Sequence, residues 1–228
     1  MKAALLICDH VPNELSKIHG TYFEMYQNLF PGFSLEGYFV IDNEFPEVEK
    51  YDVFISTGSR YSVYEDIPWI EQLKEMIREI YISGKKFIGI CFGHQLIAES
   101  LGGKVEKQDR GYLIGIHSFT ITDDLYWMKP PVDGYEVLML CKDQITVLPE
   151  KSLVLSESVE CPIGMYTVGK TFLGIQGHPE FSKEYNRTIF ESRADRIDSD
   201  KIEKAVNSLE LEPSKPLLTS YLQNFIFG

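Results

Sequence analysis

Several features that mark other classes of protein are missing from this sequence. The four cysteines include no closely spaced pair, so they indicate neither a zinc site nor a disulfide framework, and reduced thiols fit better. No apolar run approaches the roughly 18 residues of a membrane helix, and the first one is too short for a signal peptide. Basic residues number 22 against 34 acidic ones, and a net charge of −12 repels nucleic acids and anionic membranes. We therefore expect a cytoplasmic protein without metal, cofactor, nucleic-acid or membrane partners.

The first hundred residues alternate between short apolar runs and amphipathic stretches. The apolar runs predict strands at residues 3–8, 33–41, 51–56 and 87–90, and the amphipathic stretches predict helices at 14–30, 67–82 and 94–101. This alternation is typical of right-handed βαβ units, which build a mostly parallel sheet with helices on both faces. The predicted fold class is therefore α/β.

The remaining residues change character twice. Short strand-like runs fill residues 104–176 and predict a small antiparallel extension of the sheet or a small second sheet. Residues 183–197 and 200–209 predict helices, and an apolar stripe over 217–226 predicts core packing. Since 228 residues contain neither a repeat nor a linker, we expect one domain spanning residues 1–228.

Cys91 stands where a predicted strand meets a predicted helix, with Gly89 and Gly93 on either side. This is the Gly-x-nucleophile-x-Gly elbow with cysteine as the nucleophile. A tight turn of this kind strains the nucleophile's backbone, and glycines let the neighbouring chain approach it closely. The position at a helix N-terminus favours the thiolate. The alternative is that Cys91 is simply a small buried apolar residue.

A second motif places His178 and Glu180 just after the predicted strand at 171–176. Ligands bind at the carboxyl ends of parallel strands, so these side chains are candidates for a site. His178 could take the thiol proton and later protonate the leaving amine, while Glu180 could orient the imidazole and favour its charged form. A lone histidine in a turn is more often structural, but the combination with Cys91 favours catalysis.

The motifs GICFGHQ (residues 89–95) and GIQGHPEF (174–181) resemble those of the class I glutamine amidotransferases, the triad type. The resemblance covers residues 51–196 and includes ISTGS (55–59), which is similar to the family's oxyanion strand. Within the family, the chain resembles the stand-alone, GMP-synthase-like branch that includes the plant γ-glutamyl peptidases. Two departures stand out: residues 57–59 read TGS where relatives have Gly-Gly-Pro, and residues 140–144 lack the histidine of the usual His-Gln-Asp segment.

The resemblance implies a flavodoxin-like sheet and a triad of Cys91, His178 and Glu180. It also implies that the backbone N–H groups of Gly58 and Phe92 form an oxyanion hole for a γ-glutamyl thioester on Cys91. Three further residues match substrate-binding positions or segments of the family: Gln95, Gly111 and Tyr112. No cofactor is implied.

We therefore expect a cysteine-dependent hydrolase of γ-glutamyl amide bonds, acting on glutamine or on a γ-glutamyl peptide such as glutathione or its conjugates. One alternative is a glutaminase subunit that delivers ammonia to a separate synthetase partner. A second is a non-catalytic binding module on the same fold, which the presence of Cys91, His178 and Glu180 disfavours. His94, three residues after the nucleophile, is an alternative but weaker base.

Overall fold

Helices and strands alternate along the first half of the chain, and strands predominate in the middle. The computed structural model describes residues 1–228. Its strands are β1 (Lys2–Leu6), β2 (Ser34–Tyr38), β3 (Val53–Ser56), β4 (Lys86–Ile90), β5 (Lys104–Lys107), β6 (Leu113–Ile121), β7 (Gly134–Cys141), β8 (Asp143–Val147), β9 (Ser152–Glu157), β10 (Met165–Val168) and β11 (Phe172–Ile175). Its helices are α1 (Asn13–His19), α2 (Tyr22–Leu29), α3 (Pro68–Ile82), α4 (Phe92–Ser100), α5 (Lys183–Ser192), α6 (Ser199–Ser208) and α7 (Lys215–Phe227).

A nine-stranded mixed sheet organises these elements in the order β2-β1-β3-β4-β11-β10-β9-β6-β7. The first five strands in this order are parallel to one another. The remaining four pair antiparallel, so that only β10 and β6 run against the common direction. Strands β5 and β8 form a separate antiparallel pair. The predicted α/β class, with a mostly parallel sheet and an antiparallel extension, is confirmed.

The sheet is buried on both faces. In β1, Ala3 and Leu5 pack into one apolar cluster, whereas Ala4 and Leu6 pack into the other. This alternation follows from the two-residue period of a strand, and it explains why β1 reads as a continuous apolar run. Helices α2, α5, α6 and α7 contribute to the first cluster, and α3 and α4 to the second. None of the helices has the length and apolar character required to cross a bilayer.

The helix predicted over residues 14–30 is wrong in one respect, because it is two helices. The chain breaks at Gly20, whose φ of 85° is outside the helical range. Thr21 then begins α2 with a capping box. Its side chain accepts a hydrogen bond from the Glu24 N–H, and the Glu24 carboxylate accepts one from the Thr21 N–H at 2.7 Å. The Thr-x-x-Glu spacing of residues 21–24 is the sequence signal that indicates this second helix start.

Other boundaries differ by a few residues. The predicted strand at 33–41 ends at Tyr38, and a 3₁₀ turn follows it at Val40–Asp42. Helix α4 begins at Phe92, two residues earlier than predicted, and α5 ends at Ser192, five residues earlier than the predicted helix over 183–197. The charged run at 104–107, at the start of the strand-like region predicted over 104–176, is strand β5, in which only Val105 is buried.

Candidate active site

Cys91 occupies a strained turn between β4 and α4. Its φ is 53° and its ψ is −98°, a conformation that residues with a side chain rarely adopt. Such backbone strain costs on the order of 1–3 kcal/mol and persists only where the surrounding structure enforces it. The residue is only 5% exposed, and its sulfur lies 3.8 Å from the carbonyl oxygen of Leu140. The elbow therefore holds Cys91 nearly buried, with a small part of the residue exposed.

The surrounding chain packs tightly against this turn. A Cβ atom on Gly89 would lie 2.3 Å from the backbone of Gly93, and one on Gly93 would lie 2.8 Å from the side chain of Ser56. These distances are far below a normal contact, so both positions require glycine for space. The close approach predicted for the elbow is present.

Three consecutive strands of the parallel half deliver the site residues to one edge of the sheet. Strand β3 leads to Gly58, β4 leads to Cys91, and β11 leads to His178. The backbone N–H of His178 also donates to the carbonyl oxygen of Leu138 on β7, at 2.8 Å. Because the carboxyl ends of parallel strands meet at one edge, residues more than a hundred positions apart become neighbours.

The meeting point of these residues is Gly58. A Cβ atom there would lie 2.9 Å from Cε1 of His178 and 3.7 Å from Cβ of Cys91. The backbone of Gly58 does not have a positive φ, so glycine is needed here for space and not for conformation. Gly58, Cys91 and His178 are therefore in mutual proximity.

His178 is held by a carboxylate on one side and an aromatic ring on its face. Its Nδ1 lies 2.7 Å from Oε1 of Glu180, and both side chains are buried. The ring of Phe181 stacks on the imidazole with centroids 4.2 Å apart. Nε2 of His178 is buried and makes no hydrogen bond of ordinary length. That nitrogen is thus left for a sulfur, a water or a substrate atom.

The electrostatic surroundings favour a charged His178. Burial alone lowers the pKa of this imidazole, but the negative charges of Glu180 and of the Cys91 thiolate outweigh burial and raise the pKa to about 10. An imidazolium beside a thiolate is the ion pair that activates cysteine nucleophiles.

Two backbone N–H groups next to Cys91 lack acceptors. The N–H of Gly58 donates no hydrogen bond. Phe92 is the first residue of α4, and N–H groups in the first turn of a helix have no acceptor within it. The loop at residues 57–59 is fixed although it lacks the family's Gly-Gly-Pro: Cys8 N–H donates to Thr57 Oγ1 at 2.9 Å, and Ser59 Oγ donates to the Cys8 carbonyl at 2.8 Å.

The predicted substrate-binding residues divide into two groups. Gln95 and Tyr112 line the cleft over Cys91, which we call the reaction cleft, whereas Gly111 is not part of its lining. Gly111 instead forms a turn with φ of 71° just before Tyr112. The amide nitrogen of Gln95 donates to the Asp143 carbonyl at 2.7 Å and to Oε1 of Gln176 at 3.0 Å. Only the amide oxygen of Gln95 is therefore left for a ligand.

Sequence reasoning missed much of the rest of the reaction cleft. Its lining includes Arg60, Lys142, Asp143 and Arg193. The carboxylate of Asp143 accepts hydrogen bonds from Ser62 Oγ at 2.6 Å and from the Tyr64 hydroxyl at 3.0 Å. Residues 62–64 lie within the range of the family resemblance, 51–196, and residues 142–143 lie in the segment 140–144 noted as a departure from it. Arg193 had no sequence signal of its own.

Two cations of the reaction cleft are free to meet a ligand. The guanidinium of Arg60 is occupied, because it pairs with Asp9 at 2.7 Å and donates to the His10 carbonyl. Lys142 makes no ion pair, and Arg193 only lies over the ring of Tyr112, 5.9 Å from its centroid. An anionic group near Cys91 would thus find positive charge in a strongly acidic protein.

His94 is unsuited to act as the base. It is fully buried behind the elbow, where its ring meets that of Tyr166 edge-on with centroids 4.9 Å apart. Burial lowers its pKa to about 3, so the ring is neutral at physiological pH. No group of three or more His, Cys, Asp and Glu side chains is arranged to hold a metal ion.

The structure is similar to those of several amidotransferases. A glutamine amidotransferase from Thermotoga maritima superposes with a TM-score of 0.80 at 22% identity, covering 100% of this chain and 99% of the other. A glutamine amidotransferase from Methylobacillus flagellatus superposes with a TM-score of 0.75 at 16% identity, over 99% of this chain and 94% of the other. At these identities the likeness shows the fold alone.

Sequence relatives and a family model agree with the fold. Gamma-glutamyl peptidase 3 of Arabidopsis thaliana is 32% identical over 94% of this chain and 92% of its own length. GMP synthase [glutamine-hydrolyzing] of Clostridium novyi is 35% identical, over 55% of this chain and 24% of its own length. The model of the glutamine amidotransferase class-I family matches residues 37–194. The chain therefore belongs to the class-I glutamine amidotransferase family.

Proposed function

We propose that this protein is a cysteine-dependent hydrolase of γ-glutamyl amide bonds. The observation that carries the proposal is the convergence of Cys91 and His178 at Gly58, with His178 paired to Glu180 at 2.7 Å. A strained nucleophile, a base and an orienting carboxylate together are the set that acyl transfer requires. The same three residues disfavour the alternative of a non-catalytic binding module.

The proposed reaction has two stages. The Cys91 thiolate attacks the γ-carbonyl carbon, and the C–N bond breaks as the His178 imidazolium gives its proton to the leaving nitrogen. A γ-glutamyl thioester and a free amine result. Water then attacks the thioester carbon while the neutral His178 takes a proton from the water. Glutamate is released and the thiolate–imidazolium pair is restored.

Negative charge develops on the γ-carbonyl oxygen during both stages. We assign its stabilisation to the backbone N–H groups of Gly58 and Phe92, since both flank Cys91 and neither has a protein acceptor. Donors of this kind are worth about 2.7–4 kcal/mol each in acyl-transfer enzymes. The Glu180 carboxylate accepts from the second ring nitrogen of His178 and so keeps that nitrogen as a donor.

A γ-glutamyl peptide is the substrate class that we favour, with glutathione or a conjugate of it as candidates. The relatives named gamma-glutamyl peptidase align over nearly the whole chain, whereas GMP synthase aligns over about half of it. Lys142 and Arg193 line the cleft over Cys91, where they can bind the α-carboxylate of the γ-glutamyl group that glutamine and γ-glutamyl peptides share.

Glutaminase activity is the second candidate. The similarity to GMP synthase supports it, because that enzyme is glutamine-hydrolysing by name. In that case the leaving group is ammonia, and a separate synthetase partner would consume it. The chemistry at Cys91 is the same in both candidates, so only the released product distinguishes them.

The test is a substrate panel with ammonia and glutamate measured separately. We expect glutamate from glutathione or a glutathione S-conjugate, together with a cysteinyl peptide. Release of ammonia and glutamate in equal amounts from glutamine, with no glutamate from the peptides, would instead support the glutaminase. Cys91→Ser should lower turnover by at least about 10³-fold. Cys141→Ser is the matched control, since this buried thiol lines the same cleft but follows no elbow.

The panel also has an outcome that contradicts the proposal. If the wild type and Cys91→Ser release equal, negligible glutamate from every substrate while both remain folded, the protein is not a γ-glutamyl hydrolase.

A further inference from the structure

A second cleft lies beside the reaction cleft, and Tyr112 lines both. The second cleft is a cavity of about 350 Å³, whereas the cavity directly over Cys91 measures about 30 Å³. The lining of the second cleft includes four basic residues. Arg110 comes from the segment before β6, His117 from β6, and Lys201 and Lys204 from α6. Nothing in the chemistry proposed at Cys91 uses these residues.

The walls of the second cleft are fixed by close packing of α6 on β6. A Cβ atom on Gly115 would lie 2.9 Å from Cα of Ala205, so the helix can approach the strand only at a glycine. Ser208 Oγ accepts the Ile116 N–H at 2.8 Å. The Lys201 ammonium donates to the carbonyls of Arg110 and Tyr112, which ties the segment before β6 to the helix. The cleft is therefore a preformed feature.

The charge of the second cleft is opposite to that of the protein as a whole. Its one acidic residue, Glu160, already pairs with His117 at 3.1 Å. Lys204 forms neither an ion pair nor a side-chain hydrogen bond. The only hydrogen bond of the Arg110 guanidinium is to the Glu160 carbonyl, at 3.0 Å. Two cationic side chains therefore remain available in a molecule of net charge −12. A local surplus of one sign attracts ligands of the opposite sign.

Size determines which part of a substrate the second cleft would take. The cleft over Cys91 is the smaller of the two, at about 30 Å³, and its lining of Gln95, Lys142 and Arg193 is assigned to the γ-glutamyl end, which leaves no further room there for a peptide leaving group. The leaving group must therefore extend outward from the nucleophile. Small-molecule sites are typically about 300–1,000 Å³, which the second cleft matches and the reaction cleft does not.

We propose that the second cleft is the subsite for the leaving group of a γ-glutamyl peptide, and that Arg110 and Lys204 bind the carboxylate at its far end. This inference rests on the proposed hydrolase function and deepens it. The backbone of the peptide substrate then passes Tyr112 between the scissile bond and the carboxylate. Glutamine has no such extension and leaves the second cleft unused. Arg110 and Lys204 are thus determinants of specificity that act on binding and not on the chemical step.

The test measures binding in the Cys91→Ser background, so that no substrate is consumed. Titration calorimetry compares γ-glutamyl-cysteinyl-glycine with its glycine amide, which lacks the terminal negative charge. Adding Lys204→Met should weaken binding of the free acid about three- to fivefold, and the double change Arg110→Met with Lys204→Met about tenfold, as expected for exposed ion pairs. Binding of the amide should change less than about twofold. Lys17→Met is the matched control, because Lys17 is exposed on α1 and lines neither cleft.

Two further measurements complete the test. Arg110→Lys should restore most of the affinity lost in Arg110→Met, which a purely structural role of the guanidinium would not predict. Equal affinity of the free acid for the parent and the Arg110/Lys204 double variant would overturn the second cleft as a subsite. Loss of affinity for acid and amide alike would overturn it as well, since the carboxylate would not be the group recognised. Turnover by the protein with Cys91 intact, measured separately, decides the hydrolase proposal itself.

Discussion

The parallel and antiparallel halves of the sheet contribute different things to the site. Strands β3, β4 and β11 of the parallel half lead to Gly58, Cys91 and His178, the groups assigned to the chemistry. The antiparallel half, with the helices that pack on it, supplies Tyr112, Lys142 and the walls of the second cleft. The comparison suggests that changes in the first half should impair turnover of every substrate, whereas changes in the second half should discriminate between substrates.

Glu180→Gln should have the largest effect of the changes considered for this comparison. Its carboxylate is a main cause of the raised pKa of His178, and the amide cannot replace that charge. We expect kcat to fall by about 10²–10⁴-fold for all γ-glutamyl substrates, as for orienting carboxylates in other triads. An equal fall in kcat on glutamine and on peptides is the result expected for a residue positioned by the parallel half.

The pH profile of the same variant provides an independent readout. The pKa of His178 is raised from about 6.5 to about 10. The charged imidazolium therefore contributes its full stabilisation of the fold below about pH 6.5, and this stabilisation is lost as the pH rises through about 10. Without Glu180 the pKa falls, so the alkaline limb of kcat/KM should move to lower pH. An unmoved alkaline limb would show that Glu180 does not act through His178.

Gly58→Ala should come next. The added methyl group would lie 2.9 Å from Cε1 of His178, so the imidazole or the loop must move. We expect a loss of about 10²–10³-fold in kcat, the size expected when one oxyanion donor is lost. Ser59→Ala serves as the comparison, because it removes a hydrogen bond from the same loop without adding an atom near His178. Similar activity in the two variants would argue against Gly58 as the meeting point.

Arg193→Met tests the substrate-facing side of the comparison. Its guanidinium lines the reaction cleft and lies over Tyr112. We expect KM for a γ-glutamyl peptide to rise about tenfold, which is the loss of about 1.4 kcal/mol of binding, with kcat within about twofold. Arg196→Met is the matched control, since this arginine lies three residues further on and only pairs with Asp195. A fall in kcat without a change in KM would place Arg193 with the chemistry instead.

Thr21→Ala should have the smallest effect, and on stability only. The substitution removes the capping box that begins α2, and Thr21 lines neither cleft. Loss of such a cap costs about 1 kcal/mol, or about 2–4 °C in Tm for a protein of this size. Ser16→Ala is the control, because its hydroxyl contacts only the Asn13 carbonyl within α1. Measured kcat values should match the wild type in both variants.

The sequence predicted the parallel half better because its signals are local. Continuous apolar runs identify strands that are buried on both faces, and Cys91 and His178 follow such runs directly. The order of the strands and the contact between Gly58 and His178 are tertiary facts. The family resemblance, and not hydrophobic periodicity, nominated Gly58.

The walls of the clefts were harder to predict for a physical reason. Arg193 follows the end of α5 and Lys204 lies within α6, where a surface cation is the ordinary outcome for a charged helix. Their relevance depends on which face of the sheet the helices cover and where β6 passes beneath α6. The single helix predicted over residues 14–30 was a local error, since Gly20 and the Thr21–Glu24 pair were visible in the sequence.

The position of β11 between β4 and β10 has a consequence for biosynthesis. Strand β4 and Cys91 leave the ribosome about 80 residues before β11 does. Until β11 arrives, one side of β4 is an open edge with unpaired backbone groups, and such edges invite aggregation. The strand that closes this edge is also the one that brings His178, so the nascent chain is protected at the same moment that its cysteine gains a base.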